Sequence, residues 1–271
     1  MKKFAFLVPV LILLGFMFLS NRMFASGSLN PTTMLMIVPI ALLLMLFIRP
    51  KGKQKTKPVS ELETMIRGDF AKTAFLDDDQ LNAKFQAILK DYSSNMPKAA
   101  LNKLQKLAPL CRNDQEKYAV AVATAKIQLS LGKAVDAARQ YTTALIIHPT
   151  AELAMEQGNC YQRMGELSKA RSSYTYALDL DENNLDAHSA IATTYVADHE
   201  FEEALGVALK VLEKDAKHAS ALATTAICYG LLDDPIMSRR YTDLAEDNGY
   251  SRKKINETID ALTSLRKKKR S

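Results

Sequence analysis

The chain has 271 residues, 48% hydrophobic and 24% charged, with no Trp, ten Gly and nine Pro, which suits one or two helical domains with a sizeable core. Its formal net charge is +6, yet 13 of the 36 basic residues lie in three terminal clusters, leaving 23 basic against 30 acidic residues in the body, a net −7. A nucleic-acid binder carries its positive charge on the folded surface, so this distribution excludes DNA or RNA as the expected partner.

In chain order, residues 1–49 come first. The run from Phe4 to Asn21 is uncharged and almost wholly apolar, and Met34 to Ile48 is apolar throughout. Both read as membrane helices, spanning about 4–21 and 33–48, each near the short end of what crosses a bilayer, which leaves an interfacial or re-entrant hairpin as the lesser alternative. Lys2 and Lys3 precede the first span and Arg49, Lys51, Lys53, Lys55 and Lys57 follow the second, against Arg22 between them. Basic flanks stay inside, so both ends are expected in the cytoplasm of a multi-pass protein of a bacterial plasma membrane. A cleaved signal peptide fits less well, because Met23 stands where a site near Ala25 needs a small residue.

Residues 50–79 form a basic linker and a short helix. Lys51, Lys53, Lys55 and Lys57 flank the second span and could touch an anionic leaflet. Ser60 and Glu63 have the spacing of a capping box, and Asp77-Asp78-Asp79 marks a helix start near Leu81. Residues 80–117 read as a degenerate helical hairpin broken at Ser94-Asn95-Met96-Pro97, with Pro97 in a first turn.

From Tyr118 one pattern recurs. In 151–184, Ala154, Gly158 and Tyr161 and then Leu167, Ala170, Tyr174 and Ala177 fall at helical spacing on either side of Met164-Gly165-Glu166. Small residues stand where two helices would cross, and tyrosines where neighbouring hairpins would meet. The same pattern fills 118–150, 185–218 and 219–250, with frames offset by 33, 34 and 34 residues. Residues 251–266 follow as an amphipathic capping helix bearing Ile255, Ile259, Leu262 and Leu265, and 267–271 as a basic tail.

Period and residue types together resemble the tetratricopeptide repeat family. The match is closest in the first two repeats; Ala208 and Thr242 stand where the third and fourth would carry their second aromatic residue. The resemblance implies an all-α fold, a right-handed α-solenoid of helix-turn-helix repeats, here preceded by two transmembrane helices. It also implies a concave face lined by the first helix of each repeat. On that face Lys126, Asn159 and Arg163 could hold a peptide's backbone or carboxylate, with Val122, Leu129 and Met155 as an apolar floor and Gln162 and Thr193 beside them. Some family members clamp chaperone tails with Lys and Asn. Asn159 matches one clamp position, but Val122 and Met155 replace the cations it needs, so that function is not carried over.

Catalytic patterns are absent from the sequence. His148, His188, His199 and His218 lack metal-ligand spacing and are expected at the surface, whereas Cys160 and Cys228, one before the packing tyrosine of their repeats, read as small core residues. Neither a phosphate-binding glycine loop nor a nucleophile elbow occurs, so no enzyme and no cofactor is expected. Two functional readings remain. The protein is a membrane-anchored scaffold presenting its repeats to a protein or peptide, or an accessory subunit of an integral membrane complex acting through its apolar hairpin.

Overall fold

The structure, a computed structural model, describes residues 59–270. The two apolar segments and most of the basic linker therefore lie outside the described residues, and among those described no helix is long and apolar enough to cross a membrane. The described chain forms twelve α-helices and no strand: α1 (Val59–Arg67), α2 (Asp79–Ser93), α3 (Pro97–Leu107), α4 (Asp114–Ser130), α5 (Ala134–Ile147), α6 (Ala151–Arg163), α7 (Leu167–Leu180), α8 (Leu185–Ala197), α9 (Phe201–Lys214), α10 (Ala219–Leu231), α11 (Pro235–Asp247) and α12 (Arg252–Arg270).

From α2 to α11 the helices pair into hairpins, α2 with α3 through to α10 with α11, and each second helix packs on the first helix of the next hairpin. Local chemistry sets both ends of each unit. The first helices start on side-chain caps: Asp78 accepts from the backbone N–H of Leu81, Asn113 from Glu116, Thr150 from Leu153 and Asn184 from Ala187, while the Nδ1 of His218 accepts from Ala221. They end on a residue with left-handed backbone, which is Asn95, Gly132, Gly165, His199 and Asp233 in turn. The next N–H then closes a six-to-one bond, Met96 to Asp91, Lys133 to Gln128, Glu166 to Tyr161, Glu200 to Tyr195 and Asp234 to Tyr229. This is the same helix stop five times over, and the α2–α3 hairpin shares it.

The packing has two regimes. Tyr141 and Tyr174 are fully buried in the first part of the array, whereas Ala208 and Thr242 occupy the corresponding places further on. With no ring to hold the hairpins apart, α8 and α10 approach each other closely, as do α10 and α12; among the described residues no comparable approach joins α4 to α6 or α6 to α8. Ser189 and Ser220 bond across the narrow part at 3.0 Å. Helix α12 closes the end: Ile255 is buried and Arg266 donates to the free carbonyl of Leu231 at 3.1 Å.

Helix α1 belongs to no hairpin. It packs against α2 and α4, both first helices, and so lies across the face that first helices line. Glu63, which the sequence offers to a capping box, pairs with Arg67 at 2.8 Å. Arg67, 3% exposed, bonds the carbonyls of Lys72 and Ala74 and the side chain of Asn82, which fixes the turn between α1 and α2.

Candidate functional site

The inner face is built from the first helices α4, α6, α8 and α10, and it is not uniformly open. On α4, Val122 is 1% and Lys126 9% exposed, since α1 packs on that helix and the Tyr92 hydroxyl donates to the Lys126 carbonyl. Farther along, Ser189 on α8 and Ala223 on α10 are each 1% exposed because those helices crowd together. Between the two closed regions α6 keeps its face accessible, with Met155, Asn159 and Gln162 half-buried and Arg163 exposed. Leu129 and Thr193, both half-buried, stand on the flanking helices.

Of the residues expected to hold a ligand, Val122 is therefore a core side chain and no part of an open floor. Lys126 is also withdrawn: its Nζ lies 3.9 Å from Glu152 and 4.0 Å from Glu156, so its charge is met within the protein. Arg163 makes no ion pair among the described residues. Met155 and Leu129 supply the apolar part of the surface.

The polar part is a connected chain of groups. The Tyr174 hydroxyl lies 2.9 Å from the amide of Asn159 and 2.9 Å from Oε1 of Gln162. Gln162 Nε2 donates to Thr193 Oγ1 at 3.2 Å, and Thr193 Oγ1 donates to the Ala190 carbonyl at 2.7 Å. Asn159, Gln162 and Thr193 are thus brought together, and the side chain that joins them is Tyr174 from α7. The sequence offered Tyr174 only as packing. Its ring reaches the inner face because Gly158 leaves room, and the pairing of glycine with tyrosine across one hairpin was the available signal.

Chemically the site offers hydrogen bonds and modest apolar contact. Among the described residues no group of three or more His, Cys, Asp or Glu could hold a metal ion. Burial pushes the Cys160 thiol up to about 11 and the Cys228 thiol to about 12, so neither is a nucleophile at neutral pH. Two histidines depart from the surface role expected of them. His148 stacks on Phe70 with ring centroids 4.3 Å apart, and His218 caps α10 while its Nε2 meets Asp186 at 3.1 Å. A separate open cleft of about 270 Å³ on α6 and α7 is lined by Gln157, Tyr161, Lys169, Ser172, Ser173 and Tyr176.

No family model matches the chain, and no curated protein matches it. Solved structures share its fold. A tetratricopeptide repeat protein from Parabacteroides merdae is 19% identical with a TM-score of 0.59, over 69% of this chain and 74% of that one. MamA from Desulfovibrio magneticus is 13% identical with a TM-score of 0.53, over 63% of this chain and 95% of its own. YrrB, described as a TPR protein with an unusual peptide-binding site, is 17% identical with a TM-score of 0.50, over 67% of this chain and 93% of its own. At these identities the likeness establishes the fold, an α-solenoid of the tetratricopeptide type.

Proposed function

We propose that the protein is a scaffold that binds a partner protein or peptide on the inner face of its repeats and holds it at a bacterial plasma membrane through the two apolar segments. The observation that carries this reading is the accessible stretch of α6, where Met155 and Leu129 lie beside the joined polar groups of Asn159, Gln162 and Thr193. Apolar floor and fixed hydrogen-bonding groups together are what peptide grooves use for affinity and register. The peptide-binding site described for YrrB is in keeping with this.

Anchoring supplies the second half of the mechanism. The segments 4–21 and 33–48, with Lys51, Lys53, Lys55 and Lys57 against anionic lipid and both termini cytoplasmic, confine the array to a thin layer, and confinement raises the effective concentration of membrane-bound partners.

Proximity labelling from the C-terminus tests both halves. Replacing residues 1–50 with an unrelated membrane anchor should leave the labelled neighbours unchanged, whereas Met155→Arg should remove them. Neighbours lost on the anchor swap and retained in Met155→Arg would mean that the apolar hairpin, packing within a membrane complex, is the acting part.

A further inference from the structure

The body of the chain is acidic, yet its last helix ends in a run of cations. The start of α12 is tied to the far end of α11 by Arg252, which pairs with Asp243 and Glu246. From there α12 follows α10 and passes its end. Gly230, next to last in α10, faces Ile259, whose Cδ1 would stand 2.8 Å from a Cβ there, and α12 continues for eleven residues beyond Ile259. At 1.5 Å per residue that is about 16 Å of helix. Arg266 holds this end by donating to the Leu231 carbonyl, and Lys267 to Arg270 complete the helix. The same end of the α10–α11 hairpin carries Arg239 and Arg240, both exposed and without an ion pair among the described residues. Seven basic residues thus stand against two carboxylates, Asp233 and Asp234, the second of which is occupied in capping α11 through the Met237 N–H. Among these charges lie Ile236, 80% exposed, and Leu265, 50% exposed.

We propose that this corner rests on an anionic lipid surface, with its basic groups on lipid phosphates and Ile236 and Leu265 between the headgroups. Exposed aliphatic side chains flanked by cations are what an interfacial helix uses, whereas a nucleic acid would meet the charges and leave both aliphatic groups in water. Position agrees. Helix α1 lies antiparallel to α2, with Glu63 at 2.8 Å from Gln86 and Arg67 at 3.3 Å from Asn82, so Val59 stands near the turn that ends α2. The chain therefore enters the repeats, and α12 leaves them, along the row of turns that join first helices to second. The inference rests on the membrane reading above for what brings the corner to a bilayer. It confines the contact to the last hairpin and α12, because the neighbouring α8–α9 turn exposes Glu200, Glu202 and Glu203, which an anionic surface repels.

The test places the full-length chain in vesicles of phosphatidylcholine, and in vesicles of phosphatidylcholine and phosphatidylglycerol in equal parts, and reads amide hydrogen exchange by mass spectrometry. Amides in the last two turns of α12 should exchange about tenfold more slowly on the anionic vesicles, a factor that two cations at such a surface supply at about fivefold each. Raising the salt to about 1 M, where the Debye length falls to about 3 Å, should remove the difference. So should the joint change Lys267→Gln, Lys268→Gln, Lys269→Gln and Arg270→Gln, which keeps helix propensity and should leave exchange on neutral vesicles as in the parent. Ile236→Ser with Leu265→Ser should reduce the difference without abolishing its dependence on salt. Equal exchange on the two kinds of vesicle, or a difference that survives loss of the four cations, would overturn the proposal. Slowing seen only when polyglutamate is added would assign the corner to an acidic protein and overturn it as well. A chain that does not float with neutral vesicles would end the two-span reading instead, while exchange on anionic vesicles still judges the corner.

Discussion

Tyr174 lies across the Cα of Gly158, so closely that a Cβ on Gly158 would stand 2.3 Å from Cε1 and 2.6 Å from Cδ1 of the ring. That approach joins core to inner face, since the ring fills the crossing of α6 and α7 and its hydroxyl emerges among Asn159 and Gln162. Gly158→Ala should accordingly destabilise the protein by about 2 kcal/mol, the displacement of a fully buried ring outweighing the helix propensity that alanine gains. Urea denaturation checks this; a variant more stable than the parent would show that the ring has room to shift.

The two buried tyrosines should respond oppositely to loss of the hydroxyl. The Tyr141 hydroxyl has no hydrogen-bond partner, and burial pushes its ionisation well above the usual range for a phenol. Tyr141→Phe should leave stability unchanged or raise it by up to about 1 kcal/mol, and Tyr174→Phe should lower it by about 1 kcal/mol. Thermal melts of the two variants side by side decide it.

Left-handed backbone ends five first helices, but only two of those residues are glycine. His199 at φ 66° and Asp233 at φ 63° carry side chains there. His199→Gly and Asp233→Gly should each stabilise by roughly 0.5–1 kcal/mol, and Gly165→Ala, at φ 75°, should cost about 1 kcal/mol. Equilibrium denaturation of the three variants would expose a different turn geometry if the signs came out reversed.

Arg67 ties α1 to the turn after it, with Glu63 at 2.8 Å, Asn82 at 3.3 Å and the Phe85 ring 5.0 Å away. Arg67→Ala leaves Glu63 and the two carbonyls short of a donor, for an expected loss of about 3 kcal/mol. Hydrogen exchange read by mass spectrometry should quicken first in α1 and residues 68–77, then in α4 beneath them, with α8 to α12 unaffected. Uniform quickening would mean that α1 is not a separable cover.

Alkaline stability follows from the buried thiols. The thiols of Cys160 and Cys228, ordinarily near 9.0, are raised by burial to about 11 and about 12. Both states are protonated below the unfolded value, so the contribution is complete there. As pH climbs from about 9 toward 11 the unfolded chain ionises first and stability falls. Denaturation midpoints for the parent should decline across that window, and those of the Cys160→Ala, Cys228→Ala double variant should decline less.

Much of this architecture is legible in the chain because it depends on neighbours three or four residues apart. Small residues at Gly158, Ala170 and Ala177, tyrosines at 161 and 174, and a break at Met164-Gly165-Glu166 match a helix that stops at Arg163 and another that starts at Leu167. The turns at His199 and Asp233 are harder to read, since the usual sign of left-handed backbone is glycine and the six-to-one bond enforces it without one. Lys126 and Val122 misled for another reason. Helical phase places both on the inner face, and phase says nothing of what else covers that face.

The sequence by itself determined the helices, their pairing into hairpins and the period of the array, because spacing, caps and turn residues act locally. The tertiary structure decided what those hairpins leave open. Whether Lys126 is a ligand group or an ion-paired one depends on Glu152 and Glu156, which α6 brings to within 4.0 Å of its Nζ. The width of the inner face at α10 depends on Ala208 and Thr242 allowing α8, α10 and α12 to close up. The joining of Asn159 to Gln162 depends on the hydroxyl of a tyrosine from the next helix. Each is a contact between different helices, and none is written in the spacing of residues along one helix.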